Sequence, residues 1–368
     1  MQQRQTTIDL LKTVAAQVIL LHHLSVYGPL AGVWDKVANA SSNFFYDEGR
    51  LAVQVFLVIG GFLAARSLTA RGVPSTAFLW RTLTQRYRRL VLPFAVALVL
   101  AVLSSLLSRQ WLTDDFIPAA PNWGQALAHL ALMHGVLDEE SLSAGAWYVA
   151  VDFQLFATLA LLLCLSPRRW GGRLLVTALT LASLFYFNLH AKFDAWSVYF
   201  FGAYGLGAAA YWVDGGSGVT RRPATSWMML ALTGCLALIF EFRSRIALAF
   251  VVALLLGAMQ WRNALGMTGR ALSRRLSAGI ARLGQTAYAL FLVHFSVLML
   301  GNAVYAHYFV RGFAGWSSEQ AGCGLLATCW AVSLILGWAF ERYVERPLAG
   351  RSLSGRRPAL LRERTMAS

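Results

Sequence analysis

Ionisable side chains set inside apolar runs are the places where this chain could do chemistry. Each costs several kcal/mol to bury in lipid unless it faces the interior of a helix bundle. The run Ile8–Gly28 carries Lys12 near one end and the adjacent His22 and His23 further in. In a helix the step from Lys12 to His23 is about three turns and about 16 Å, with roughly 20° of drift, so the two share one stripe while His22 points about 100° away. Imidazole titrates near neutrality, so a histidine there can take and return a proton. It can equally be a hydrogen-bonded core residue, and spacing alone leaves both readings open. His294, near the middle of LGQTAYALFLVHFSVLML, raises the same pair of alternatives. Asp152, in GAWYVAVDFQLF, is the acid placed within a span interior, and it needs an arginine or histidine partner on a facing helix. Arg86 and Arg89 in FLWRTLTQRYRRLVLPF lie three apart on one helical face. Two guanidinium forks so placed suit phosphate oxygens, although lipid headgroup contact would use the same residues.

The elements that must position these residues are membrane helices. The chain has 368 residues, 57% of them hydrophobic and only 13% charged, and its mean hydropathy is +0.54. Those values lie outside the range of ordinary soluble domains. The apolar runs are about 18 to 22 residues long, which suits spanning helices and not the roughly ten-residue alternating segments of a membrane barrel. We therefore expect an all-α, polytopic helical membrane protein with ten spans, near residues 10–30, 50–68, 90–108, 146–165, 173–190, 195–213, 226–241, 246–261, 285–307 and 320–341. The piece Trp123–Leu137 is too short to cross and reads as an interfacial or re-entrant helix. Thr6 and Asp9 have the spacing of a capping box that would start the first helix. The Gly60–Gly61 pair in the second span allows either close helix packing or a kink.

Net charge is +15, but its distribution speaks for a membrane and against nucleic acid. With the N-terminus in the cytoplasm, 25 of the 32 Lys and Arg fall on the cytoplasmic side and seven on the other. That asymmetry orients the chain with both termini inside. The acids Asp35, Asp47, Glu48, Asp114, Asp115, Asp138, Glu139 and Glu140 fall in outer loops. A cleaved leader over residues 1–31 is disfavoured, because its apolar segment is long and holds two histidines. Cys164, Cys235, Cys323 and Cys329 sit in apolar runs without metal-ligand spacing and read as structural, so no metal is expected. Residues 1–347 read as one membrane domain and 348–368 as a basic, disordered tail against anionic lipid.

Taken in order, these stretches resemble the acyltransferase-3 family of bacterial membrane acyltransferases over nearly the whole chain. Lys12 to His23 matches an R-x(10)-H pattern with Lys for Arg, and AVQVFLVIGGFL is similar to "FFxxSGF", with Gly60 where serine is usual and Gln54 where Asp is common. RYRRLVLPF is similar to "RxxRLxxP", and WYVAVDFQLF to "WxLxxEeqFy", with Asp152 for Glu. AYALFLVHF, ending at His294 and Phe295, matches "SYxLYLxH", and Glu345-Arg346-Pro347 matches a closing "ExP".

The resemblance implies a membrane O-acyltransferase of the bacterial inner membrane. It would move an acyl group, acetyl from acetyl-CoA at the cytoplasmic face, to a hydroxyl of a glycan or lipid-linked glycan. It implies His23 as general base or acyl relay, Asp152 as the orienting acid, and Lys12, Arg86 and Arg89 as donor-binding cations. Gly60, Gly61, His294 and Glu345 would have supporting roles. Lys12 is a point charge and does not reproduce a bidentate arginine contact. Some relatives carry a fused SGNH-type domain; here transfer would finish in the membrane domain or with a separate periplasmic acyltransferase. Two other readings stay open: a carrier that moves a glycan intermediate without chemistry, and an acyltransferase acting on a small secondary metabolite.

Overall fold

The computed structural model describes residues 2–69, 75–166, 168–213, 223–265, 273–310 and 315–349. The expected basic tail lies outside them from residue 350 on. The described chain is built of α-helices, as the long apolar runs required. In order they are α1 (Gln2–Val26), α2 (Gly28–Glu48), α3 (Val53–Thr69), α4 (Thr76–Ser108), α5 (Trp123–Leu130), α6 (Ala146–Cys164), α7 (Arg169–Phe185), α8 (Ser197–Trp212), α9 (Pro223–Phe240), α10 (Ser244–Ala264), α11 (Arg274–Val304) and α12 (Ser318–Phe340). Short 3₁₀ turns lie between α2 and α3 and between α7 and α8, and a π turn follows each of α11 and α12. Seven helical stretches among the described residues are long and apolar enough to cross a membrane. α1, α8 and α9 occupy the positions of the other expected spans. The protein is an all-α, multi-pass membrane protein.

Four sequence expectations need correction. The first span ends at Val26, before residue 30, because Tyr27 is extended and Gly28 takes φ +72° ahead of Pro29. At that corner Asn302 of α11 accepts from the Leu30 amide at 2.9 Å and donates to the Tyr27 carbonyl at 3.3 Å. A Cβ on Gly28 would stand 2.5 Å from the Asn302 side-chain oxygen, so this position excludes larger residues twice over. α2 was not anticipated; its Ser, Asn and Asp content hides it, yet Leu30, Val33 and Ser42 are buried. Thr6 and Asp9 do not cap α1, which begins at Gln2. Gly284 of α11 comes so close to the backbone of Asp9 that a Cβ there would be 2.8 Å from its Cα, and this packing carries the helix past the cap signal. Finally, α5 stops at Leu130, and the rest of Trp123–Leu137 is turns.

Two bundles share the site. In one, α3 and α8 approach through small residues: a Cβ on Gly61 would lie 1.8 Å from the Tyr204 carbonyl oxygen, and one on Gly207 2.0 Å from that of Val58. Gly61 is thus a packing glycine, with no kink recorded in α3. In the other, α1 runs along α11 with α12 and α2 beside them. α4 joins the two, packing on both α6 and α11. Its helix starts at Thr76, capped by Ser75 accepting from the Phe78 amide at 3.2 Å, well before the apolar run at residue 90. Pro93 cannot donate to the Arg89 carbonyl, and the Tyr288 hydroxyl of α11 donates to the neighbouring Leu90 carbonyl at 3.2 Å.

Candidate active site

The stripe along α1 reaches two levels of the bundle. At the upper level His23, only 8% exposed, meets His294 of α11, which is 1% exposed. Nδ1 of His23 and Nε2 of His294 are 2.5 Å apart, and the rings lie within 2° of parallel. Nδ1 of His294 lies 3.1 Å from the Leu290 carbonyl oxygen, one turn back on its own helix. Tyr27 closes over the His23 ring at 5.5 Å between centroids. His22 faces elsewhere, as the helical spacing requires. Its Nδ1 donates to the Phe45 carbonyl of α2 at 2.8 Å, and Gly49 packs on its Cβ.

At the lower level, near the basic N-terminal end of α1, Lys12 is half-buried. Asp9, Arg86, Arg89 and Glu345 are the charged groups acting on it. One carboxylate oxygen of Glu345, Oε2, is buried with no hydrogen-bond partner among the described residues. The adjoining Arg346 is instead paired with Glu341. Arg89 is exposed.

Arg86, one turn before Arg89, turns inward. Its Nη2 donates to Asp152 of α6 at 2.5 Å, and its guanidinium lies over the Phe156 ring at 5.3 Å. The arginine partner that Asp152 needed is therefore Arg86, and the two arginines do not act as a matched exposed pair. Tyr148, Tyr204 and Tyr288 all lie within electrostatic reach of Asp152 and Arg86. Arg86 Nε and the Tyr204 hydroxyl are buried without partners among the described residues. A Cβ on Gly60 would stand 3.1 Å from the Tyr204 ring and 3.6 Å from Asp152 Oδ1, so the absent side chain leaves room beside the ion pair.

The fold thus gathers Lys12, Arg86, Arg89, Asp152, Glu345 and Gly60 around the lower level, and His23 with His294 above it. The sequence reading missed Tyr148 and Tyr204, whose positions in apolar helices carry no signal. It also missed His129, in the last turn of α5, and His134, in the turns that follow it, both buried and stacked at 4.1 Å. Burial, with His129 alongside, pushes His134 down to about 4.

Fold and site together define a polytopic helical membrane protein with a buried imidazole pair above a basic, carboxylate-edged cluster. Residues 5–341 match the family described as an acyltransferase domain, and the chain belongs to this acyltransferase-3 family of membrane acyltransferases. It is similar to the acyltransferase MdmB of Streptomyces mycarofaciens, with 27% identity over 348 residues, covering 84% of this chain and 83% of the relative. No solved structure matches. Glu345 and Pro347 lie just beyond the matched residues.

Proposed function

We propose that this acyltransferase is an O-acyltransferase of the bacterial inner membrane, drawing acetyl groups from cytoplasmic acetyl-CoA and delivering them to a hydroxyl of a cell-surface or exported polysaccharide. The observation that carries the reading is the α1 stripe. It sets a buried imidazole about 16 Å from a cationic cluster on the same helix face, a layout suited to a long anionic donor held at one end and reacting at the other.

In this reading Lys12 and Arg89 hold donor phosphates at the basic end, where Glu345 limits the net positive charge. Arg86, neutralised by Asp152, keeps a second guanidinium edge inside the protein. His23 takes the proton from the acceptor hydroxyl, which is a poor nucleophile until that proton leaves. Tyr27 and Phe291 narrow access to the imidazoles and limit competition from water. The acceptor, a glycan or lipid-linked glycan, would approach from the outer side, and a separate periplasmic acyltransferase could receive the group in its place.

The test is transfer from labelled acetyl-CoA in membranes holding the protein, with mass spectrometry of surface glycans from a deletion strain. A missing acyl mass in the deletion supports the reading. Unchanged glycans, with label found on a small metabolite, would move the acceptor class. No acyl-CoA-dependent transfer to any acceptor would favour a glycan carrier.

A further inference from the structure

We infer that His294 is the positioning residue of the site: it holds the Nδ1 proton of His23, and so leaves Nε2 of His23 as the base. The inference rests on the acyl-transfer reading for its catalytic meaning, but the proton assignment rests on geometry alone. Two nitrogens 2.5 Å apart require one proton between them, since two N–H groups would collide and two lone pairs would repel. A neutral imidazole has one N–H and one lone pair. The Leu290 carbonyl oxygen can only accept, so the nitrogen facing it at 3.1 Å, Nδ1 of His294, carries that ring's hydrogen. Nε2 of His294 is then a lone pair. The shared proton belongs to Nδ1 of His23, and Nε2 of His23 is left as an acceptor.

The chain Leu290 carbonyl, His294, His23 has the logic of a triad in which a neutral imidazole takes the place of the orienting carboxylate. During transfer the acceptor hydroxyl proton passes to His23 Nε2. The new C–O bond forms as the donor thioester C–S bond breaks, and the departing sulfur takes the proton back from Nε2. The imidazolium that exists in between is steadied by its Nδ1–H bond to His294. The Asn302 contacts on the Tyr27–Leu30 corner hold the end of α1 against the same helix, α11, and so keep the two rings in register.

The experiment uses the full chain in nanodiscs, with ¹⁵N-histidine labelling and the His23 signals assigned by difference from His23→Ala. Wild type should show His23 as the Nδ1–H tautomer. His294→Leu should switch it to Nε2–H and lower kcat by about 10²-fold or more while the donor KM holds within about twofold. His294→Gln, whose amide oxygen can accept from Nδ1–H, should keep the tautomer and most of kcat. An Nε2–H tautomer in wild type overturns the inference even if His294→Leu does not fold. So does a folded His294→Leu with wild-type kcat, or equal loss in both variants with the tautomer unchanged. Absence of transfer in wild type, with the tautomer switch present, removes the acyl-transfer reading and leaves the His294 assignment standing.

Discussion

The molecule contains two buried histidine pairs, and they are built for different work. His23 and His294 come from helices far apart in sequence and meet edge to edge through one nitrogen each, 2.5 Å apart, with ring centroids 4.8 Å apart. His129, in the last turn of α5, and His134, in the turns just after it, are neighbours in sequence and stack face to face, with centroids 4.1 Å apart and planes within 6°. Both nitrogens of His129 are used locally: Nδ1 on the Gln125 carbonyl at 2.8 Å, and Nε2 accepting from the Leu142 amide at 3.1 Å. Neither nitrogen of His134 has a partner among the described residues. The turn around it includes Leu132 and Asp138 at positive φ, backbone that non-glycine residues seldom adopt. The first pair shares one hydrogen between facing nitrogens, whereas the second is held together by its faces. Burial and ring stacking are therefore poor guides to chemistry; the line between nitrogens is the discriminating feature.

The largest effect that would break this contrast concerns activity. His23→Ala should lower acyl transfer by roughly 10²–10⁴-fold, the usual weight of a general base, while His134→Ala should leave transfer close to wild type at pH 7.5. Label transfer in membranes with matched expression reads both, and equal losses would erase the distinction.

A second measurement sets a stability scale for buried polar contacts. Asp152→Asn removes the anion facing Arg86 and should cost about 3–5 kcal/mol in thermal or denaturant unfolding of the purified protein, because a guanidinium is left unpaired. Replacing Arg86 and Asp152 together by Met and Leu should recover much of that loss without recovering activity. A single variant as stable as wild type would mean that the pair contributes nothing to the fold.

Acid should separate the histidine pairs next. His134 falls to about 4 in the folded loop because burial opposes its charged form and His129 lies against it; Glu139 acts on His129 in the opposite sense. Since the folded value is the lower one, the opened loop binds more protons, and loop stability is lost as pH falls from about 6.5 toward 4. The loss should approach about 3 kcal/mol at the acid end. Hydrogen exchange across residues 123–142 reads it, and His134→Phe, which keeps an aromatic face and does not titrate, should flatten the pH dependence. Equal acid sensitivity in His134→Phe would assign the effect to other groups.

The smallest effect belongs to His22. His22→Ala removes the hydrogen bond to Phe45 and should cost about 1 kcal/mol of stability, with transfer nearly intact. A collapse of activity with folding preserved would show that the stripe argument assigned the wrong histidine.

Helix length was the part of the fold least legible in the chain. Hydropathy marks where a helix meets lipid, not where it ends, so α4 and α11 begin at Thr76 and Arg274, well before their apolar runs. α2 is held by its few buried contacts and the Asn302 grip on the corner before it, and no local pattern announces either. The Gly60–Gly61 pair was legible as a close approach, yet only the structure shows that Gly61 meets the Tyr204 backbone while Gly60 faces its ring and Asp152.

By itself the sequence determined the all-α membrane class, because runs of about twenty apolar residues must satisfy their backbone groups internally. It determined that Lys12 and His23 share a face and His22 does not, because helical periodicity is local. It determined that Asp152 needs a cationic partner, because an isolated carboxylate is too costly in lipid. Only the tertiary structure decided that this partner is Arg86, that Glu345 and Arg89 join Lys12, and that His294 faces Nδ1 of His23 across 2.5 Å. Those choices depend on which helices pack together and at what height. Close-packed small residues and corner contacts far apart in the chain set both, and no spacing within a single segment contains them.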